Sequence, residues 1–537
     1  MNYWHMQLHD DDKKGWKRED ILEILKQSLV GCTGKPVEQF NQIKAGDIIL
    51  IRHGGDVLAL TQALENPRTI KPDEKNDYVW FEHGLKVKIL EYYNNKSVSG
   101  KGWFLPKTLM YIENEIAYGF VNQLYKEFKD KTMLKDIITL LKYKTQIILQ
   151  GAPGTGKTYT AKDVAYQLIF DAPISTENDK RKADLEKLSK SDQFSLIQFH
   201  PAYSYEDFVR GISAKANGQG IEYKTEDKIL AEFAQEAYQN YLDSEKEVQQ
   251  LSEEKQLEAV FEDFKESIES EIAKNQKFDI NEIAYIYGIE DDAFRYKGDN
   301  WNNNQRMKFD DILKLHLANI SERKQIKHLD DVSGLAKQHS TYYILMLKKF
   351  QAFIKDKTIE TTPVEKVALK NYVLIIDEIN RANLPAVLGE LIYALEYRGE
   401  SVESMYDLDG DRSLILPPNL YIIGTMNTAD RSVGHIDYAI RRRFAFVPIA
   451  ADENVITLPR AKSLFKHIRE TFFDKEKGYL SSDFEATDVE LGHSYYLAKD
   501  DAELALKLKY EIIPLLEEYL KDGVLLNSAK EHIKQLK

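Results

Sequence analysis

The feature that most constrains this chain is the octapeptide Gly151-Ala152-Pro153-Gly154-Thr155-Gly156-Lys157-Thr158, which follows an apolar run at 146–149 and precedes a helical pattern at 158–170. Two glycines four residues apart, then Lys and Thr, between a strand and a helix, make a phosphate-binding loop. Glycines admit backbone angles and close approaches that side chains would block, so the loop N–H groups and the helix N-terminus can surround phosphate oxygens. Lys157 then supplies charge to the β- and γ-phosphates, and Thr158 places its hydroxyl on Mg²⁺. The fold that accommodates such a loop is α/β, with a parallel sheet covered on both faces.

Further strand-length runs lie at 194–199, 372–376, 420–425 and 444–449, with a helix expected at 384–397. The run at 372–376 ends in Asp377 and Glu378, paired carboxylates suited to ordering the water shell of a metal and polarising an attacking water. The run at 420–425 leads into Met426-Asn427-Thr428-Ala429-Asp430-Arg431. An Asn at the C-terminal edge of a neighbouring parallel strand lies in the crevice where α/β proteins bind ligands, so Asn427 is a candidate to hold the lytic water or γ-phosphate. Its alternative role is an ordinary turn residue. Arg441, Arg442 and Arg443 precede the last strand. They suit three roles: a solvated surface, a nucleic-acid backbone contact, or a guanidinium delivered across a subunit interface to a transferring phosphoryl group, with Arg442 and Arg443 as candidates.

A chain of 537 residues must divide into several units. Residues 1–118 alternate apolar and polar in short runs, the pattern of half-buried strands, with one helix near 18–29, and they hold four of the five tryptophans. Residues 119–451 carry the α/β elements, interrupted at about 225–365 by charged segments with helical spacing, which predict a helical insertion. Residues 452–537 read as mostly helical. A net charge of −14 argues against general coating of nucleic acid, so any DNA contact is local. The single cysteine, Cys32, excludes an internal disulfide and reads as a small buried residue. A polar, acidic start and the lack of any apolar run near twenty residues predict a cytoplasmic protein with no membrane partner.

Taken together, GAPGTGKT, LIIDEINRAN, IIGTMNTADRS and IDYAIRRRF closely resemble the McrB-type AAA+ subunits of modification-dependent restriction systems. So do QFHPAYSYEDFVRG at 198–211 and GHSYY at 492–496. The resemblance covers roughly residues 140–500 and implies an AAA+ core with a C-terminal helical lid, assembled as a ring, hexameric in the family, with active sites between neighbours. On this chain it implies that Asn380 and Arg381 join Asp377 and Glu378, that Asn427 is the sensor, and that Asp437 serves the interface with Arg442 and Arg443. It further implies a GTP preference, with ATP as the alternative, DNA translocation, and a separate McrC-type endonuclease subunit in an antiviral restriction system.

The first 110 residues resemble the EVE and YTH group of PUA-like β-barrel folds, whose members capture a modified base in an aromatic cage. A flipped base needs flat apolar walls, for which Trp4, Tyr78, Trp80 and Trp103 are candidates, although each is equally suited to a small β core. Lys14, Lys17, Arg18, Arg52, Lys101 and Lys107 are candidates for DNA phosphates or plain solvated surface. The reading as a DNA-directed motor competes with a remodelling ATPase whose front domain binds a protein client, and with an NTPase-like assembly platform.

Overall fold

A computed structural model describes residues 1–8, 17–34, 36–76, 78–98, 109–216, 221–299, 301, 304–329, 332–355, 365–408, 410–430 and 436–536. They form two compact units, one made of Met1–Ile137, Asp452–Ile468 and Tyr495–Ile513, the other of Ile138–Ala451, Arg469–Ser494 and Pro514–Lys537. The segment 452–537 thus contributes to both. Among the described residues no helix is long and apolar enough to cross a membrane.

The first unit is built on seven strands: β1 (Tyr3–Gln7), β2 (Leu29–Cys32), β3 (Ile48–His53), β4 (Asp56–Ala63), β5 (Arg68–Thr69), β6 (His83–Ser97) and β7 (Leu109–Tyr111). Their order is β2-β6-β4-β3-β1-β7, with β5 on β6; β1 and β3 are parallel and every other pair is antiparallel. Register shifts between β4 and β6 and between β3 and β4 bend the sheet. The central strands are buried on both faces, not one. Ile49 and Ile51 pack with Ile21, Ile24 and Leu25 of the helix Arg18–Lys26, whereas Ile48 and Leu50 pack with Val121 and Leu124 of the helix Glu115–Lys144. That explains the unbroken apolar run IILI. Cys32 is buried, as its apolar setting requires.

The second unit carries the parallel sheet. Its first strands are β8 (Gln146–Gly151) and β9 (Phe194–Gln198), followed by the hairpin β10 (Arg210–Ala216) and β11 (Ile221–Asp227). Two helices, Ile229–Glu245 and Val248–Asn275, then lead into an antiparallel meander of β12 (Phe278–Asp279), β13 (Ala284–Ile289), β14 (Ala293–Gly298) and β15 (Gln305–Lys308). The expected helical insertion is therefore corrected: between its helices it holds a four-stranded sheet. Period-two burial explains it, since Ile286, Phe294, Tyr296 and Met307 point inward against Phe261, Phe264 and Phe350 of the flanking helices Val248–Asn275 and Ser340–Lys355. These strands are short and lie among charged helices, so the helical period dominated the reading.

The chain returns to the main sheet at β16 (Tyr372–Asp377), makes a hairpin of β17 (Ser401–Leu408) and β18 (Asp411–Ile415), and completes the sheet with β19 (Leu420–Asn427) and β20 (Ala445–Pro448). The five core strands run β20-β8-β19-β16-β9, all parallel. Sequence neighbours β8 and β9 are separated by two strands, so the connections diverge on either side of β8. At such a switch point a crevice opens beyond the C-terminal strand ends. The single helix expected at 384–397 is two short ones, Leu384–Leu388 and Leu391–Ala394, divided at Gly389 with φ 51°.

Candidate nucleotide site

The phosphate loop leaves β8 at Gly151 and enters the helix Lys157–Phe170. Gly154 and Gly156 have φ of 79° and 85°, a region that side chains disfavour. A Cβ on Gly151 would meet the Ile449 carbonyl oxygen at 2.4 Å. Thr155 closes the loop internally, its hydroxyl donating to the Ala152 carbonyl at 3.1 Å. Lys157 is buried, and its ammonium donates to the carbonyls of Gly151 at 3.1 Å and Ala152 at 2.8 Å. Burial pushes its pKa down to about 8, opposed by the nearby charges of Glu378 and Asp377.

β16 delivers Asp377 and Glu378 opposite the loop. One carboxylate oxygen of Asp377 accepts from the Thr158 hydroxyl at 2.8 Å and from the Thr425 hydroxyl at 2.5 Å. Glu378 adopts a left-handed conformation, φ 54° and ψ 44°, which is costly for a residue with a Cβ and turns its side chain out of the strand line. The Glu378 N–H donates to Thr425 Oγ1 at 3.1 Å, and its carboxylate accepts from Asn427 Nδ2 at 2.5 Å and Arg381 Nε at 3.2 Å. Asn380 is buried and donates to the Asn427 carbonyl at 3.3 Å. Asn427 itself pairs in register with Gly151. The proposed sensor, the carboxylate pair and the loop therefore meet at one end of the sheet.

Two residues whose side chains organise this site, Thr425 and Thr428, had no role in the sequence reading. Thr428 links the loop to the chain's C-terminal part: its N–H donates to the Gly151 carbonyl at 3.1 Å, and its hydroxyl to the Asp488 carbonyl at 2.7 Å. A third missed contact is main-chain. The N–H of Gly492 donates to the Pro153 carbonyl at 3.0 Å, and that of Ser494 to the Gly154 carbonyl at 3.1 Å. The motif GHSYY carried the signal, through a glycine where close backbone approach is needed.

The arginines lie elsewhere. Asp437 caps the helix Tyr438–Arg443, accepting from the Ile440 N–H at 2.8 Å. Arg442 is exposed and pairs with Glu396 at 2.6 Å, while Arg443 is largely buried, reaching Glu396 at 3.4 Å and the Ala439 carbonyl at 2.9 Å. Gln146 holds the Arg443 carbonyl at 2.7 Å. Gln146 opens β8 and Gly151 closes it, so this anchor and the phosphate loop lie at opposite ends of the strand, about 16 Å apart at the usual rise per residue. Arg441 stacks on Phe446.

In the first unit Trp4 is withdrawn as a wall for a base. It is 2% exposed, and its indole N–H donates to Asp47 at 3.0 Å, which makes it a core residue. Tyr78 is exposed, and Trp80 is half-buried, edge-on to Phe81. Arg52 is withdrawn from the phosphate candidates: it is buried, donating to His5 Nδ1 at 3.3 Å and the Gly54 carbonyl at 2.9 Å. Arg18 is tied to the Tyr93 carbonyl and Asn94. Trp103, Lys14, Lys101, Lys107 and Arg431 lie outside the described residues.

A five-stranded parallel sheet with this loop, carboxylate pair and polar strand end is the arrangement of a P-loop NTPase. Residues 349–444 match the AAA domain (dynein-related subfamily), and residues 480–524 match the McrB alpha-helical lid domain. Over 430 residues, 76% of this chain, the sequence is 26% identical to the Type IV methyl-directed restriction enzyme EcoKMcrB subunit of Escherichia coli (strain K12), and it spans 60% of that relative's length. A second relative, the Type II restriction enzyme BsuMI component YdiS of Bacillus subtilis (strain 168), is 37% identical over 90 residues, 14% of this chain and 26% of its own length. Both are restriction-system proteins.

Proposed function

We propose that this chain is the nucleotide-hydrolysing AAA+ motor subunit of a modification-dependent DNA restriction complex, working as a ring, hexameric in our reading, with a separate McrC-like endonuclease subunit. The observation that carries the hydrolytic part is the hydrogen-bonded set Thr158–Asp377–Thr425–Glu378–Asn427, with Lys157 held beside it on the loop carbonyls of Gly151 and Ala152. The restriction assignment rests on the likeness to the McrB subunit and lid.

The residues divide the reaction between them. Loop N–H groups and Lys157 hold the β- and γ-phosphates, and Lys157 must leave the Gly151 and Ala152 carbonyls to do so. Thr158 and Asp377 offer hydroxyl and carboxylate oxygens 2.8 Å apart, hard donors that suit Mg²⁺. When bound, that ion neutralises charge on the phosphate oxygens. Glu378, aimed by Asn427 and Arg381, takes the proton of the attacking water. The exposed Arg442 adjoins Arg443, whose carbonyl is anchored at the far end of β8 from the phosphate loop, which suits delivery of both with Asp437 to a neighbouring subunit. GTP is the proposed substrate, with ATP as the alternative.

The front unit is proposed to recognise modified double-stranded DNA through a PUA-like, EVE/YTH-type cage, with Tyr78, Trp80 and Trp103 as its remaining candidates. The test is binding of the full chain to paired duplexes that differ only in base modification, with nucleotide turnover followed in parallel. Preference for modified duplex, and cleavage only when the nuclease subunit is added, are the expected results. Equal, weak binding to both duplexes together with tight binding of a protein client would replace this reading with a remodelling ATPase.

A further inference from the structure

We propose that Gln146 is a positioning residue for Arg442 and Arg443: its buried carboxamide sets where the chain presents these arginines, so that it governs hydrolysis in a neighbouring subunit's site rather than in its own. The inference rests on the ring reading above and names a residue on which delivery between subunits depends.

Gln146 opens β8 and is 2% exposed, and the fully buried Ile147, Ile148 and Leu149 follow it. A carboxamide enclosed at that point needs partners for two N–H donors and for its carbonyl oxygen. It has them on both sides. Nε2 donates to the carbonyls of Arg443 at 2.7 Å and Leu395 at 3.0 Å. Oε1 accepts from Arg398 Nη2 at 2.8 Å, with the Thr145 hydroxyl 2.6 Å away. Two carbonyls on one side and a guanidinium on the other fix which way round the amide stands. A buried polar network satisfied in this way is rigid.

The two carbonyls belong to the segments that carry the arginines and their acid. Arg443 closes the helix Tyr438–Arg443, and Leu395 is the C-cap of the helix Leu391–Ala394, directly before Glu396. Glu396 takes both guanidinium groups, Arg442 at 2.6 Å and Arg443 at 3.4 Å. Gln146 therefore holds the backbone on each side of this charged group. Arg398 also donates to the Leu420 carbonyl at 3.0 Å, which ties the same amide to the first residue of β19. An arginine that stabilises a transferring phosphoryl group must be placed closely, since a displacement of about 1 Å can cost about 10²-fold in rate. The side chains of Arg442 and Arg443 are long and flexible, so the fixed origin of their backbone decides where they reach. Lys157, Thr158, Asp377 and Glu378 of the same chain stand at the other end of the strands, and loss of the amide leaves them in place.

The experiment uses full-length Gln146→Glu, which keeps the volume and the Arg398 contact and turns the donor facing two carbonyls into an acceptor, with Gln146→Leu as a second variant. GTP and ATP turnover are measured for each alone and for each mixed in equal amounts with Glu378→Gln, whose arginines are intact and whose own site is disabled. Alone, both Gln146 variants are expected to turn over about 10- to 100-fold more slowly than wild type, with nucleotide affinity nearly unchanged. In the mixtures turnover should rise several-fold above the sum of the separate rates, because a Glu378→Gln neighbour supplies arginines to an intact site. An unfolded protein could not recover in this way. The double variant Arg442→Ala/Arg443→Ala, mixed likewise, is the reference. If it recovers and neither Gln146 variant does, Gln146 serves its own site or the fold alone, and the inference is wrong while the ring reading stands. If the double variant does not recover, delivery between subunits is wrong and the inference falls with it. Wild-type turnover by the Gln146 variants alone also overturns it.

Discussion

Asn427, at the C-terminal end of β19, donates its side-chain amide to a carboxylate oxygen of Glu378, at the end of the adjacent strand β16, at 2.5 Å. The other oxygen of Glu378 accepts from Arg381. A carboxylate with both oxygens engaged by separate donors has a defined orientation. The same Asn427 pairs with Gly151 in the sheet register, so the residue that orients Glu378 is also next to the phosphate loop.

Replacing Asn427 with Ala removes the aiming contact and leaves the loop intact. Turnover is expected to fall by about 10- to 100-fold with nucleotide affinity nearly unchanged, the pattern of an interaction that matters mainly in the transition state. Steady-state kinetics alongside direct nucleotide titration check it. An affinity loss as large as the loss in turnover would mean that Asn427 binds the ground state.

The depressed pKa of Lys157 makes nucleotide binding depend on pH. In the free protein burial holds the ammonium near a pKa of about 8. A bound triphosphate favours the charged form, so its pKa in the complex lies higher and binding takes up a proton between the two values. Affinity is therefore constant well below pH 8 and weakens as pH rises through and above it, by up to about tenfold per unit. Titration from pH 7 to 9 tests this. Lys157→Arg, which does not titrate in that range, should flatten whatever binding remains.

Arg210 is a strut between two hairpins. It is buried, pairs with Asp227 across β10 and β11 at 2.6 Å, and reaches the carbonyls of Tyr406, Asp411 and Ser413 on β17 and β18. Arg210→Ala leaves a nearly buried carboxylate without its cation, a change that costs about 3 kcal/mol or more. Amide hydrogen exchange should quicken in both hairpins together and stay unchanged in β12–β15. Unaltered protection of β17 and β18 would show that the strut carries no load.

How far the sequence foretold this arrangement depends on what kind of signal each element leaves. The loop and the strand ending in Asp377-Glu378 were legible because phosphate binding and a fully buried parallel strand both impose local patterns, GAPGTGKT and YVLIID. β13 and β14 were not, although AYIYGI and AFRYKG alternate, because six-residue strands leave a weaker periodic signal than the long charged helices beside them. Thr425 is ordinary in sequence and gains its role only when β19 is laid beside β16. Gly492 is likewise explained only by Gly154, hundreds of residues earlier. Trp4 misled for a physical reason: a tryptophan fit for stacking on a base is equally fit for a core, and Asp47, which satisfies its indole, is visible only after folding.

The central claim, that Glu378 activates water at a working nucleotide site, is tested most directly by measuring GTP and ATP hydrolysis by wild type and by Glu378→Gln. The account predicts measurable turnover of at least one nucleotide by wild type, and a fall of at least about 10²-fold in the variant, the range of a lost general base. Nucleotide binding by the variant should persist, because Lys157 and the loop are untouched. Turnover that survives in Glu378→Gln, or a wild-type protein that binds nucleotide and never hydrolyses it, would contradict the account.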